Sequence, residues 1–194
     1  IGHILDVLEE RGILDNTIIV LTGDNGLAVG QHGLMGKQNI YEHSVRVPLV
    51  LCGPGIPKGE TREQYVYLLD IYPTLCQLCG LEVPASVEGI SFAPTFSDPD
   101  YVTRPELYLA FQSRIRGVMD GRYKLVEYRT EDLKLTQLFD LEQDPWERNN
   151  FYDIPGYEDI TSRLRSRLFA LRDAWDDEST LFGRQFWEQW RRYD

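Results

Sequence analysis

The chain has 194 residues, a formal net charge of -11 and 42% hydrophobic residues. That is an ordinary globular composition, with length for one domain or a domain and a half. The acidic balance argues against generic nucleic-acid binding and gives no basic groove for highly sulfated polymers; its bland reading is a solubilising surface. No run is apolar enough to span a membrane. Three cysteines, an odd number, give no disulfide framework. These residues contain no Asn-x-Ser/Thr acceptor and no repeat, and the targeting segment, if any, is expected to lie before them.

In chain order, Ile1, Ile4, Leu5 and Leu8 fall at helical spacing and end at Arg11-Gly12, which predicts a first helix. Thr17 to Thr22 is a short β-branched run without alternation, as expected for a strand covered on both faces. A second run of that kind is Val47 to Cys52. Two doubly buried parallel strands cannot satisfy their own edges, so further strands should flank them. With the chain opening inside a helix, this predicts the C-terminal part of a larger protein, a lobe that alone is marginal or self-associates. Tyr67 to Cys79 reads as a helix capped by Gly80. The proline-bearing connection from Leu81 to Tyr101 separates a first domain, residues 1–100, from a second, 101–194.

In the second part, Glu106 to Phe111, Ile115 to Met119, Tyr123 to Tyr128 and Thr136 to Asp140 are strand candidates, with Asp120-Gly121 as a hairpin turn. They predict a small antiparallel sheet. A helix from Asp159 to Asp176 carries Ile160, Leu164, Leu168, Leu171 and Trp175 on one stripe that can cover one sheet face. The tail from Leu181 to Tyr193 sets large aromatics among charges and reads as an amphipathic helix packed on protein, with a carbohydrate contact as the alternative. The fold class is α/β: parallel-sheet strands and helices, then a small antiparallel sheet packed by a C-terminal helix.

The chemistry concentrates where the first strand empties into a glycine-rich loop carrying Asp24, Asn25, His32 and Lys37. Ligands of open α/β sheets bind beyond such strand ends. Asp24 and Asn25 offer hard oxygens between Gly23 and Gly26, which suits an oxygen-rich metal site, although Asp-Asn-Gly is also plain turn chemistry. Lys37 reads alone as a solvated surface lysine. His32 is equally a group that contacts substrate or donates a proton and a loop-packing residue. His43 reads as a structural hydrogen-bonding group, and Arg46 as a tie from loop to sheet.

This pattern resembles the formylglycine-dependent sulfatases of the alkaline phosphatase-like superfamily. The match runs from the strand ending in Asp24-Asn25-Gly26 through Gly36-Lys37-Gln38-Asn39-Ile40-Tyr41-Glu42-His43-Ser44-Val45-Arg46-Val47-Pro48. It continues in Gly53-Pro54-Gly55, Leu69-Asp70-Ile71-Tyr72-Pro73-Thr74-Leu75 and Leu138-Phe139-Asp140-Leu141-Glu142-Gln143-Asp144-Pro145 with Glu147, spanning roughly residues 1 to 175. The resemblance implies calcium held by Asp24 and Asn25 and Lys37 on the sulfate ester; beside them His32 is a candidate for substrate contact or proton donation on its own chemistry. The resemblance also implies a sulfate ester substrate, sulfated sugars among the candidates.

The family's nucleophile is a formylglycine made from Cys or Ser in Cys/Ser-x-Pro/Ala-x-Arg. Cys52-Gly53-Pro54-Gly55-Ile56 has Ile in place of Arg, and Cys52 reads as a small hydrophobe. Cys76 and Cys79 sit at a helix end, away from the dipole that activates thiols, and read as buried structural residues. The resemblance therefore places the formylglycine and the remaining calcium ligands on an upstream segment, and these residues alone are expected to be inactive. Two alternatives stand: a phosphate or phosphonate ester hydrolase of the same superfamily, and a non-catalytic sulfatase-like binding or assembly module.

Overall fold

The computed structural model describes residues 1 to 193. In chain order its elements are α1 (Gly2–Glu10), β1 (Ile19–Thr22), β2 (Ala28–Val29), β3 (Met35–Gly36), α2 (Glu42–Val45), β4 (Leu49–Cys52), α3 (Ile71–Leu78), β5 (Leu107–Phe111), β6 (Ile115–Met119), β7 (Tyr123–Arg129), β8 (Lys134–Asp140), α4 (Glu158–Ala174) and α5 (Leu181–Tyr193). They form two compact units, Ile1–Asp24 with Val47–Arg104, and Asn25–Arg46 with Pro105–Asp194. No helix among the described residues is long and apolar enough to cross a membrane.

In the first unit β1 pairs with β4, Ile19 opposite Cys52 and Thr22 opposite Leu49. The pairing is antiparallel, which corrects the expectation of parallel strands. A continuous apolar run reports burial without reporting chain direction. Burial is also partial here, with Leu21 and Val50 about half exposed. The stripe on α1 behaves likewise: Ile1 and Ile4 are exposed and no α1 residue is buried. Of the cysteines only Cys76 is buried; Cys52 and Cys79 are exposed, because β4 turns alternate residues outward and Cys79 lies past the last turn of α3.

The start of α3 is organised by Asp70, whose side chain is fully buried. Its carboxylate accepts from the Tyr67 N–H at 2.8 Å, the Ile90 N–H at 2.7 Å and the Arg104 guanidinium at 3.0 and 2.7 Å. One turn on, Thr74 Oγ1 donates to the Asp70 carbonyl and accepts the Phe92 N–H. The connection after α3 is thereby fastened to the helix at Ile90 and Phe92.

The second unit contains the four-stranded antiparallel sheet β5-β6-β7-β8. Alternation sorts its side chains onto two faces. Tyr108, Val118, Leu125 and Leu138 lie on the face where Leu164 and Leu168 of α4 meet Phe186, Trp187 and Trp190 of α5. Each fully buried large apolar side chain there contributes roughly 1.5–3 kcal/mol. The tail thus packs on protein. Its helix is locked by Asp177, which accepts from Tyr108 Oη at 2.9 Å, Arg116 Nε at 2.8 Å and Trp187 Nε1 at 2.8 Å. Glu127 plays the same part nearby, bonded to Thr136, Arg129 and Arg165.

The second face, with Leu109, Gly117, Lys124, Gln137 and Phe139, is covered by residues 39–42. Both faces being covered explains why every residue of β6 is buried.

Acid should loosen this unit through two carboxylates. Hydrogen bonds from Arg122 hold Asp140 below its ordinary 3.8 against the opposing effect of burial. Burial pushes Asp177 up, but Arg116, with Trp187 and Tyr108, outweighs it and leaves the group lowered. A carboxyl lowered on folding stabilises the native state above its unfolded value and loses that contribution as pH falls through the folded value. Circular dichroism melts are expected to show stability falling below about pH 4, with a shallower acid limb in Asp140→Asn. An identical acid limb in that variant would exclude Asp140 from the transition.

Candidate active site

Beyond β1 the chain passes Gly23 and reaches Asp24, exposed at the end of the first unit, and Asn25, half-buried at the start of the second. Both expectations for metal donors thus fall at a strand's carboxyl end. Gly26 then runs tight against α2: its N–H donates to the Ser44 carbonyl at 3.0 Å, and a Cβ there would collide with the His43 carbonyl. Glycine at this position is a packing requirement as well as a turn signal.

The strands β2 and β3 form a short hairpin, Ala28 opposite Gly36 and Val29 opposite Met35. At its tip His32 adopts φ 53°, ψ 21°, the left-handed region that a non-glycine residue enters only at a cost of about 1–2 kcal/mol. The compensation is visible. The His32 ring stacks on Tyr41 with centroids 4.1 Å apart and planes 2° from parallel, and His43 lies tilted 5.5 Å away. Lys37 leaves the hairpin directly after β3, exposed, its N–H donating to Gln38 Oε1 at 3.0 Å.

Residues following Lys37 are seated on the sheet. Ile40 packs over Gly117, where a Cβ would come within 2.6 Å of its Cδ1. Tyr41 Oη donates to Gln137 Oε1 at 2.8 Å, and its ring meets Phe139 edge-on. Glu42 opens α2 and its carboxylate lies 3.0 Å from the fully buried Lys124 ammonium, which also holds Glu147 at 2.9 Å. Glu147 closes the ring by accepting the Glu42 N–H at 2.6 Å. Burial raises the Glu147 carboxyl, opposed by Lys124.

His43 differs from its expected structural hydrogen-bonding role. Its Nε2 is buried with no hydrogen-bond partner among the described residues. Burial, then the neighbouring His32 and Lys124, lower its pKa. Lys124, Glu147, Tyr41 and Gln137 went unrecognised as supports of the loop. The sequence offered no signal for them, since Lys124 alternates with Leu125 and so reads as facing away from the core that Leu125 joins.

Asp24 and Asn25 are the residues that would hold a hard cation. Their donors are oxygens, which suits calcium, yet they supply two or three of the about six to eight it takes. Among the described residues no group of three His, Cys, Asp or Glu side chains could hold a metal ion alone.

A strand end bearing paired oxygen donors, followed by a loop that carries a lysine and seats on a small antiparallel sheet, defines an alkaline phosphatase-like sulfatase fold, and solved sulfatases superpose on the chain. The family model N-sulphoglucosamine sulphohydrolase, C-terminal, matches residues 30–174, and the chain belongs to that family of sulfatases. It is 32% identical over 189 residues to the N-acetylglucosamine-6-O-sulfatase of Bacteroides thetaiotaomicron, covering 91% of this chain and 34% of that protein. A structure solved with its substrate D-glucosamine-2-N,6-O-disulfate matches with TM-score 0.84 and 29% identity, over 91% of this chain and 38% of that one. The phosphonate monoester hydrolase of Silicibacter pomeroyi matches with TM-score 0.77 and 25% identity, over 89% of this chain and 38% of that one. The chain thus spans about a third of the length of the curated relatives it matches.

Proposed function

We propose that the protein hydrolyses sulfuric esters, with a sulfated sugar as substrate class. In this reading Asp24 and Asn25 are calcium ligands and Lys37 contacts the sulfate. His32 contacts the sugar side or donates a proton to the departing oxygen. Family membership supports the reaction type, and the glucosamine sulfates named for two relatives support the substrate class. The observation that carries the residue assignment is the placement of Lys37 on a loop anchored through Ile40, Tyr41 and Glu42, since a compact ammonium on a fixed backbone can meet charge as it develops.

Calcium, when bound, supplies positive charge against sulfate oxygens. None of Cys52, Cys76 or Cys79 stands in a Cys-x-Pro/Ala-x-Arg motif. The nucleophile therefore belongs to polypeptide outside residues 1–194. A second reading, phosphonate ester hydrolysis, has the phosphonate monoester hydrolase likeness in its favour, because tetrahedral oxyanions ask for similar cation placement.

An assay on 4-nitrophenyl sulfate and a phenylphosphonate monoester tests both readings. These 194 residues alone should turn over neither. Joined to the preceding segment of its parent, the protein should prefer the sulfate, lose activity to a calcium chelator and regain it with added calcium. Turnover by the 194 residues that survives purification would refute the division of labour; a preference for the phosphonate would move the function to the second reading.

A further inference from the structure

Beside the loop, at the end of the sheet where β5 turns into β6 and β7 into β8, lies a cleft of about 520 Å³. Its walls include Gln38, Phe111, Gln112, Arg114, Tyr128 and Thr130, all within the second unit. Gln38 is the residue after Lys37, its Cα about 3.8 Å further along the chain. The cleft thus begins one residue from the lysine in the chain.

Both turns that form the cleft are held in place. Gln112 sits at φ 46°, in the left-handed region, and its carbonyl accepts from Arg116 Nη1 at 2.6 Å, while the other side of that guanidinium is paired with Asp177. Across the cleft the Thr130 N–H donates to the Leu133 carbonyl at 2.9 Å, and the Leu133 N–H returns to Thr130 Oγ1 at 3.0 Å. Fixed walls lower the ordering cost of binding.

The lining chemistry selects a ligand. Phe111 and Tyr128 are half-buried aromatics, suited to the apolar face of a sugar ring. Arg114 is exposed at the cleft wall and makes no ion pair among the described residues, a state it shares with Arg46 and Arg148 of the same unit, but of the three only Arg114 lines the cleft. An exposed guanidinium at the cleft wall can pair with an anion that arrives with the ligand.

Resting on the sulfate-ester reading of Lys37, we propose that this cleft binds the sugar of a doubly anionic saccharide, and that Arg114 engages its second sulfate or a carboxylate. The cleft then sets preference among sulfate esters and leaves the reacting sulfate to Lys37.

The test uses the complete, active protein and its Arg114→Gln and Arg114→Lys variants on 4-nitrophenyl sulfate, glucosamine 6-sulfate and glucosamine-2-N,6-O-disulfate. Arg114→Gln should lower kcat/KM for the disulfate by about tenfold to a hundredfold. It should leave 4-nitrophenyl sulfate within about twofold, and Arg114→Lys should restore part of the loss. Equal losses on all three esters, or none on the disulfate, overturn the cleft assignment. Calorimetric titration with the disulfate separates this from failure of the sulfatase reading. If no sulfate ester is turned over, that reading falls, while affinity weakened about tenfold by Arg114→Gln upholds the cleft and affinity indifferent to Arg114 overturns it.

Discussion

Exchanging Lys124 for methionine is expected to destabilise the protein by about 3–5 kcal/mol and to lower its thermal midpoint by on the order of 10 °C. The methionine fills similar space, so the loss is electrostatic. The Lys124 ammonium is fully buried between Glu42 and Glu147, and its removal leaves two carboxylates facing each other with the Glu42 N–H as the remaining donor between them. Burial already raises the Glu147 carboxyl. A carboxyl raised on folding lends stability at acid pH and loses it as pH climbs through the folded value. The Lys124→Met penalty should therefore be smaller at pH 5 than at pH 8, and Glu147→Gln added to it should recover part of the midpoint. A midpoint unchanged by Lys124→Met, or a double variant no better than the single one, would show that the three groups are not coupled.

In the proposed reading the clamp matters for function because Glu42 is the fifth residue after Lys37 and the first of α2. The small sheet holds the loop at three successive residues: Ile40 by packing, Tyr41 by a hydrogen bond, and Glu42 by charge. Since His32 stacks on Tyr41, the hairpin tip shares the same foundation. A site assembled this way gains its precision from the sheet beneath, since the loop strands β2 and β3 are two residues each.

How far the sequence disclosed this differs from element to element. Ile115–Met119 is a strand at its expected bounds, and Tyr123 to Tyr128 extends by one residue, because the Asp120-Gly121 turn fixes the register between them. The long helix occupies Glu158–Ala174 against an expected Asp159 to Asp176, its Leu164 and Leu168 fully buried as the stripe requires. The second covered face of the sheet was not legible. Lys124 and Gln137 look like solvent-facing positions until Glu42 and Tyr41 are brought over them from 82 and 96 residues away. Alternation identifies two faces, but only tertiary packing shows that both are covered.

Opposite errors arise in the first unit, where apolar runs suggested more burial than the described residues provide. Hydrophobic periodicity marks a surface that seeks a partner and carries no information on whether that partner lies within the same 194 residues. Leu21, Val50, Ile1 and Ile4 are such surfaces. Strand direction was equally hidden: β1 and β4 are separated by residues 23–48, long enough for either sense of pairing. At the site, Asp24, Asn25 and Lys37 could be singled out because each carries chemistry in its side chain, whereas the role of Ile40 exists only through the empty position at Gly117.

Replacing Lys37 with alanine should lower kcat/KM on sulfate esters by about a hundredfold to a thousandfold in the complete protein, the range for removing one charge-stabilising donor from a reaction centre. Stability should hardly change, since the side chain is exposed and the loop is anchored at residues 40–42. How the loss divides reveals what the lysine does. If it only binds the sulfate group, KM rises and kcat stays near its original value; if it stabilises charge in the transition state, kcat falls together with kcat/KM. If the ammonium also neutralises charge on the departing oxygen, the deficit should be greater for an alkyl or sugar sulfate than for 4-nitrophenyl sulfate, whose leaving group needs little help. Lys37→Arg should restore charge without restoring the compact fit, and so recover only part of the rate. Activity of Lys37→Ala within about threefold of the unaltered enzyme on every ester would remove the residue from the reaction centre, because losing one charge-stabilising donor there costs about a hundredfold or more.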